Sequence, residues 1–303
     1  MALSSGLGIF LTFFLFVCVF EASVIALPQK IFNVMNYGAV ADGKTDSSQL
    51  KVVELWMAKD LLLGAYNDCA QNSQCPPLPA TLRFDFVNNS RVHHLRSINS
   101  KNAHFSIFAC NNMNISHVKI MAPSNSPNTD GIHIVKISTY LTFFVAPGHG
   151  ISIGSLGRDH ENDYVQGIHI RNCTFSGTEN GVRIKTWSPS LKSLASDMKF
   201  EDIFIKNASN PIVIDQEYCP RAPCIPEGQS TSDVQIKNVT FKNIWGTSSS
   251  KVAVNLECSK KVPCQKIEFI NINLSYNGHG IATSVCANVI DSSYTKKMPP
   301  GCV

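Results

Sequence analysis

The stretch Ile168-His-Ile170-Arg-Asn172-Cys-Thr-Phe175 sets a pattern that returns along the chain. Apolar residues stand four and two positions before a polar anchor, Asn172, and another stands three after it. The same frame fits Asp202 (Met198, Phe200, Ile205), Asn238 (Val234, Ile236, Phe241), Asn271 (Ile267, Phe269, Leu274) and His117 (Met113, Ile115, Ile120). From Asn172 to Asn271 the anchors lie 30, 36 and 33 residues apart. Alternation around a polar anchor is the mark of a strand with one face inward. A period of this size, with several strands in each unit, implies the stacked coils of a β-solenoid. The Leu-x-x-Leu-x-Leu frame of a leucine-rich repeat is absent, and a β-sandwich would not set equivalent residues one coil apart. The anchors read either as a stacked polar ladder or as turn residues, and the two readings overlap.

The frame also predicts a surface. Thirteen residues after His117, Asn172 and Asp202 come Asp130, Lys185 and Asp215; eleven after them come Asn128, Arg183 and Val213. Neighbouring strands in a stack are about 4.8 Å apart. One sheet is therefore expected to carry a column of Asp, Lys and Asp, flanked by Asn and Arg. Burying such charges would be costly, so the column is expected to line a solvent groove suited to a polyanion.

Composition fits this picture. Of 303 residues 44% are hydrophobic and only 16% charged, which excludes a disordered chain. Leu7 to Phe20 is nearly all apolar and the small residues of Ala22-Ser-Val-Ile-Ala26 follow, so residues 1–26 read as a secretory signal peptide and 27–303 as one domain. The apolar run is shorter than the ~20 residues that span a bilayer, so no membrane partner is expected once the signal is removed. Without the signal's Glu21 the chain has 26 basic and 21 acidic residues, a net charge of +5. That excess suits a polyanion, but Lys and Arg are scattered and not interleaved with aromatics, which argues against nucleic acid. Cys18 falls in the signal, leaving ten cysteines. In an oxidising compartment Cys69/Cys75, Cys219/Cys224 and Cys258/Cys264 read as local disulfides, with Cys286/Cys302 at the C-terminus. Cys110 and Cys173 sit in strand-like runs and read as buried thiols. No cysteine or histidine set has zinc spacing, so no metal is expected. Sequons begin at Asn88, Asn114, Asn172, Asn207, Asn238 and Asn273.

Four motifs carry a resemblance. Asn128-Thr-Asp130-Gly131 comes first, and Gly148-His149-Gly150-Ile-Ser-Ile-Gly154 follows. Arg183-Ile-Lys185 is next, then Asp215-Gln-Glu-Tyr218-Cys219. Each is weak evidence alone, but in this order and spacing they resemble the plant polygalacturonases, glycoside hydrolases that cleave pectin. Asp42-Gly-Lys-Thr-Asp46, Asn67-Asp-Cys69 and Asn99-Ser-Lys-Asn102 look most like the exo-acting, pollen-type members. The resemblance implies a single-stranded right-handed parallel β-helix, a secreted monomer in the cell wall, polygalacturonate as partner, and inverting acid/base hydrolysis of α-1,4-galacturonosyl bonds without a cofactor. It assigns Asp130 as a water-activating carboxylate and His149 as the histidine supporting the acid. It gives Asn128, Arg183, Lys185 and Tyr218 to substrate binding, where Arg183 can fork onto a uronate carboxylate.

The chain departs from the family pattern in one important respect. The family carries a Gly-Asp-Asp-Cys segment between the Asn-Thr-Asp and Gly-His-Gly motifs, which supplies the general acid and a second water-activating carboxylate. Between Asp130 and His149 this sequence has no acidic residue. The expectation is one coil removed, a helix that still closes with Asp130 and His149 on adjacent coils, and very poor hydrolysis of polygalacturonate or none. A second shortening lies near Gln49 to Gly64. The rival readings are a catalytically impaired pectin-binding homologue or a truncated isoform, and a pectin lyase; the Asn-Thr-Asp, Gly-His-Gly and Arg-Ile-Lys set argues against the lyase.

Plainer readings stand beside these. Asp130 could be a turn residue after Pro127, and Arg183 and Lys185 a charged edge that blocks aggregation. Glycine on both sides of His149 implies close backbone approach. Asp215 is expected to pair with Lys185 as a structural ion pair. His133, His160 and Tyr140 to Phe144 carry no assigned chemistry.

Overall fold

The computed structural model describes residues 80–93, 95–100, 102–122, 130–145, 149–158, 163–220, 232–277 and 279–301. The signal peptide, the shortening near Gln49 to Gly64, Asn128, His160, and Cys69, Cys75, Cys224 and Cys302 lie outside them.

The described residues form strands β1 (Leu82–Asp85), β2 (Asn88–His93), β3 (Arg96–Ile98), β4 (Phe105–Met121), β5 (Asp130–Val145), β6 (His149–Leu156), β7 (Tyr164–Gln166), β8 (Ile168–Ser176) and β9 (Asn180–Trp187). They continue through β10 (Ser193–Ala208), β11 (Asn210–Tyr218), β12 (Val234–Ser248), β13 (Val252–Glu257), β14 (Cys264–Tyr276), β15 (Gly280–Ile281), β16 (Thr283–Ala287), β17 (Val289–Ile290) and β18 (Ser293–Met298). Each coil lies parallel on the next: β4 on β5, β5 on β6 and β8, β6 on β9, β9 on β11, β11 on β13, with β8, β10, β12 and β14 stacked on another side. Only the short β14–β15 pairing is antiparallel. This is the expected parallel β-helix.

Parallel stacking in register turns the inward alternation into continuous ladders. Ile132, Ile151, Val182, Ile212 and Val254 follow one another coil by coil, and Ile134, Ile153, Ile184, Ile214 and Leu256 form the next file, all almost fully buried. Burying one such side chain contributes about 1.5–3 kcal/mol, which holds the described strands in one stack. On another side Phe200, Phe241, Phe269 and Tyr294 stack at centroid spacings of 5.1, 5.2 and 4.7 Å.

The polar anchors are corners where the chain turns from one sheet to the next. His117, Asn172, Asp202 and Asn271 all have φ between 51° and 56°, the left-handed region that Asn and Asp tolerate best. The anchor between Asp202 and Asn271 is Asn243, not Asn238. Asn243 donates to Asp202 at 2.8 Å and accepts from Asn271 at 3.0 Å, which makes the ladder. Asn238 belongs to a second file, five residues earlier, where it donates to Asp197 at 2.9 Å. Both corners need a residue at positive φ with inward apolar residues around it, so the frame fits either.

Cys258–Cys264 is a disulfide, as the spacing predicted, and Cys219 and Cys286 are disulfide-bonded too. Cys110 and Cys173 are buried thiols, as expected, and donate to backbone carbonyls. All six sequon asparagines are at least partly exposed among the described residues. No described helix is long and apolar enough to cross a membrane.

Candidate active site

β5, β6 and β9 open on one face of the stack, and their first residues set the site. Asp130 begins β5 and is the register partner of His149, which begins β6. The shortened helix therefore closes, with these two residues on adjacent coils of one sheet. Close approach of the next coil explains the glycine after His149: a Cβ on Gly150 would lie 2.1 Å from the carbonyl oxygen of Gly181.

The expected column of Asp130, Lys185 and Asp215 needs correcting. Lys185 and Asp215 are register partners, whereas Asp130 starts its strand opposite His149, further back along the sheet. The count from His117 falls five residues short: Ile134 and Ile184 are in register through Ile153, so the place of Lys185 falls to Val135. Side-chain length restores the contact. Lys185 Nζ donates to Asp130 Oδ2 at 3.3 Å, and Arg183 Nη2 donates to Asp130 Oδ1 at 3.2 Å. Arg183 also donates from Nε and Nη2 to Ser152 Oγ at 3.1 and 3.0 Å, which fixes the guanidinium plane. The expected ion pair between Lys185 and Asp215 gives way to the one with Asp130.

The site is dry. Asp130 and Lys185 are both about 2% exposed, so the groove's charges are buried and not lined along solvent as the sequence suggested. Burial alone would push the Asp130 carboxyl up, but Lys185, Arg183 and the two histidines hold it well below the usual carboxylate range. Burial lowers the Lys185 ammonium against the pull of Asp130. His133, which sequence reading passed over, sits with Nδ1 3.8 Å from Asp130 Oδ2. Burial lowers its imidazole to about 4, with Asp130 pulling the other way.

His149 meets two groups from the coil beyond. Its Nε2 lies 3.2 Å from Glu179 Oε2, and Asn180 Nδ2 lies 3.4 Å from its Nδ1. Burial lowers its proton affinity, while Asp130 and Glu179 oppose that. Nothing in the motif reading pointed to Glu179. The signal available was spacing: 31 residues, one coil, separate His149 from Asn180.

Tyr218 closes the far side. Lys185 Nζ lies 5.0 Å from its ring centroid, and Trp187 meets the ring edge-on at 5.2 Å. Arg158 sits over Trp187 at 4.5 Å. Beside Lys185, burial raises the Asp215 carboxyl to about 6, with a backbone N–H from Glu217 opposing it and nearby Glu257 adding to it. Asp130, His149, Arg183, Lys185 and Tyr218 are thus brought together, while Asn128 lies outside the described residues. No described group of His, Cys, Asp and Glu could hold a metal ion.

The sequence profile of Glycosyl hydrolases family 28 matches residues 33–142 and 137–296, so the match divides inside β5. The chain is 41% identical over 261 residues to an exopolygalacturonase of Platanus acerifolia, covering 78% of this chain and 69% of that one. It is 38% identical over 304 residues to a polygalacturonase of Nicotiana tabacum, covering 87% and 76%. Among solved structures, an endo-xylogalacturonan hydrolase from Aspergillus tubingensis superposes with a TM-score of 0.56 at 20% identity, over 74% of this chain and 68% of that one. That likeness shows a shared fold.

Proposed function

The chain belongs to glycosyl hydrolases family 28, and from that premise we propose that it hydrolyses α-1,4-galacturonosyl bonds in de-esterified pectin, working from a chain end. The observation that carries the reading is the meeting of a carboxylate, a histidine and two cations on one face. Arg183 and Lys185 each donate to Asp130, at 3.2 and 3.3 Å, with His149 on the adjacent coil. Family membership supports hydrolysis, and the relatives named exopolygalacturonase support attack from the end.

The residues divide the work. Asp130, kept ionised by its cations, takes a proton from the water that attacks the anomeric carbon from the face opposite the leaving group. Arg183 and Lys185 hold the uronate carboxylate, sharing their N–H groups between it and Asp130. Tyr218 lends its ring to the sugar face, and Asn128 adds a hydrogen bond. Acid/base hydrolysis of this kind needs neither metal nor organic cofactor. We read residues 1–26 as the signal that exports a monomer of residues 27–303 to the cell wall, where polygalacturonate is met.

Purified protein incubated with polygalacturonate should release reducing ends. Binding of oligogalacturonate should weaken with salt and on Arg183→Ala, because the contact is between charges. No turnover, together with salt-independent binding or none, would sink the reading.

A further inference from the structure

We propose that Glu179, paired with His149, is the carboxyl that protonates the leaving oxygen in this chain. The inference rests on the reading of function above and names the acid that the reading lacks.

Geometry carries it. Asp130 and His149 are register partners on adjacent coils. Extending the β6–β9 register back from Ile151↔Val182 sets His149 opposite Asn180, and Glu179 is the residue before. Three successive coils therefore offer Asp130, His149 and Glu179, with the histidine in the middle. Coils repeat at about 4.8 Å, so the two carboxyl-bearing backbones are about 10 Å apart. An inverting pair needs roughly 6.5–9.5 Å between carboxyl groups, room for one water and one sugar ring. A glutamate side chain is long enough to close that gap, and Glu179 Oε2 already lies 3.2 Å from the His149 ring. Asp215 is the other candidate. It stands on β11, one coil beyond β9, and further along the sheet, which puts its backbone more than about 14 Å from that of Asp130.

The step balances. Water oxygen bonds to the anomeric carbon as its proton passes to Asp130. The bond from that carbon to the leaving oxygen breaks, and the leaving oxygen takes the proton held between Glu179 and His149. Glu179 ends ionised and Asp130 protonated; solvent exchange resets both. Glu179 suits this role because its side chain is 55% exposed and stands at the solvent side of His149, whereas Asp130 is held among cations.

The exposure also makes the test clean, since Glu179→Gln leaves the core intact. Turnover of polygalacturonate should fall about 10²–10⁴-fold with KM little changed. The loss should vanish on a 2,4-dinitrophenyl galacturonide, whose leaving group needs no proton, while Asp130→Asn stays impaired on it. In NMR titration, His149 should lose proton affinity on Glu179→Gln. Wild-type turnover that survives Glu179→Gln, or falls only with Asp215→Asn, overturns this assignment alone. No wild-type turnover on either substrate overturns the reading of function and this assignment with it.

Discussion

Lys185 and Asp130 are the most exposed to test because each is useful only with the other. Their side chains are both 3% exposed and 3.3 Å apart. Losing one partner of a buried pair costs about 3–5 kcal/mol, since the survivor keeps its desolvation and loses its compensation. The two single changes differ. In Lys185→Met, Arg183 still contacts Asp130 at 3.2 Å, so the cost should fall to about 2–3 kcal/mol. In Asp130→Asn two cations lose their common anion and face each other, and the full ~3–5 kcal/mol should appear. The double variant puts a methionine stem where the lysine stem ran and leaves Arg183 an amide oxygen to bind. Replacing a buried pair this way is often close to neutral. The double variant should therefore lose only about 1–2 kcal/mol, a coupling of at least about 3 kcal/mol, at or above the upper end for residues in contact. Urea unfolding of the four proteins at pH 7 closes the cycle. Single effects that add to within about 0.5 kcal/mol would refute the claim that this contact organises the site.

His104 is fully buried, with Ser97 Oγ 2.7 Å from its Nδ1, and burial lowers it to about 4. The unfolded chain takes up that proton below about 6.5, so stability should fall by about 3 kcal/mol as pH drops from 6.5 to 4, and His104→Asn should flatten that slope in urea titrations. Asp215 works with the opposite sign: raised to about 6, it favours the folded state below pH 4 and loses that advantage as pH rises through 6. Asp215→Asn should accordingly stabilise by about 1–3 kcal/mol at pH 7 and hardly at all at pH 4; a gain independent of pH would contradict the burial argument. Reinserting a Gly-Asp-Asp-Cys coil between Ile137 and Ala146 should raise turnover about 10²-fold or more, and equal turnover with and without it would show that the carboxyl groups already present suffice.

Much of the fold was legible because a β-helix repeats its physics. Alternation named the inward residues Ile168, Ile170, Phe200 and Ile205, and all are buried. The frame slipped at Asn238 because corners come in pairs, five residues apart, and both ask for the same residue type. Asp197 and Asp202 show the pair within a single coil. The site was legible as a set of residues and less so as an arrangement. Counting thirteen from a corner placed Lys185 and Asp215 side by side, which register confirms, but fell short at Asp130, because the stretch from His117 to the Lys185 column is five residues longer. Glu179 and His133 escaped for another reason. Neither belongs to a motif, and their importance comes only from which coil lies beside which.

That dependence explains how a chain can keep a fold while its site is rewired. The inward files are interchangeable along the stack: Ile132 meets Ile151, and Ile151 meets Val182, with equal burial at each step. Set beside the family pattern, omission of one whole coil therefore preserves every inward contact type and costs little beyond the coil itself. Side chains on the open face are not interchangeable. Asp130 is the neighbour of His149 and within reach of Arg183 and Lys185, the cations to which the proposed function gives the uronate. On that proposal, substrate carboxylate and Asp130 draw on the same two donors. Tight holding of Asp130 keeps it ionised, which suits a base, but lowers its basicity and so its driving force for taking a proton from water. The same contacts that make this site compact thus set an upper limit on its rate. Lengthening the stack by one coil, and not strengthening any single contact, is the change that relieves it.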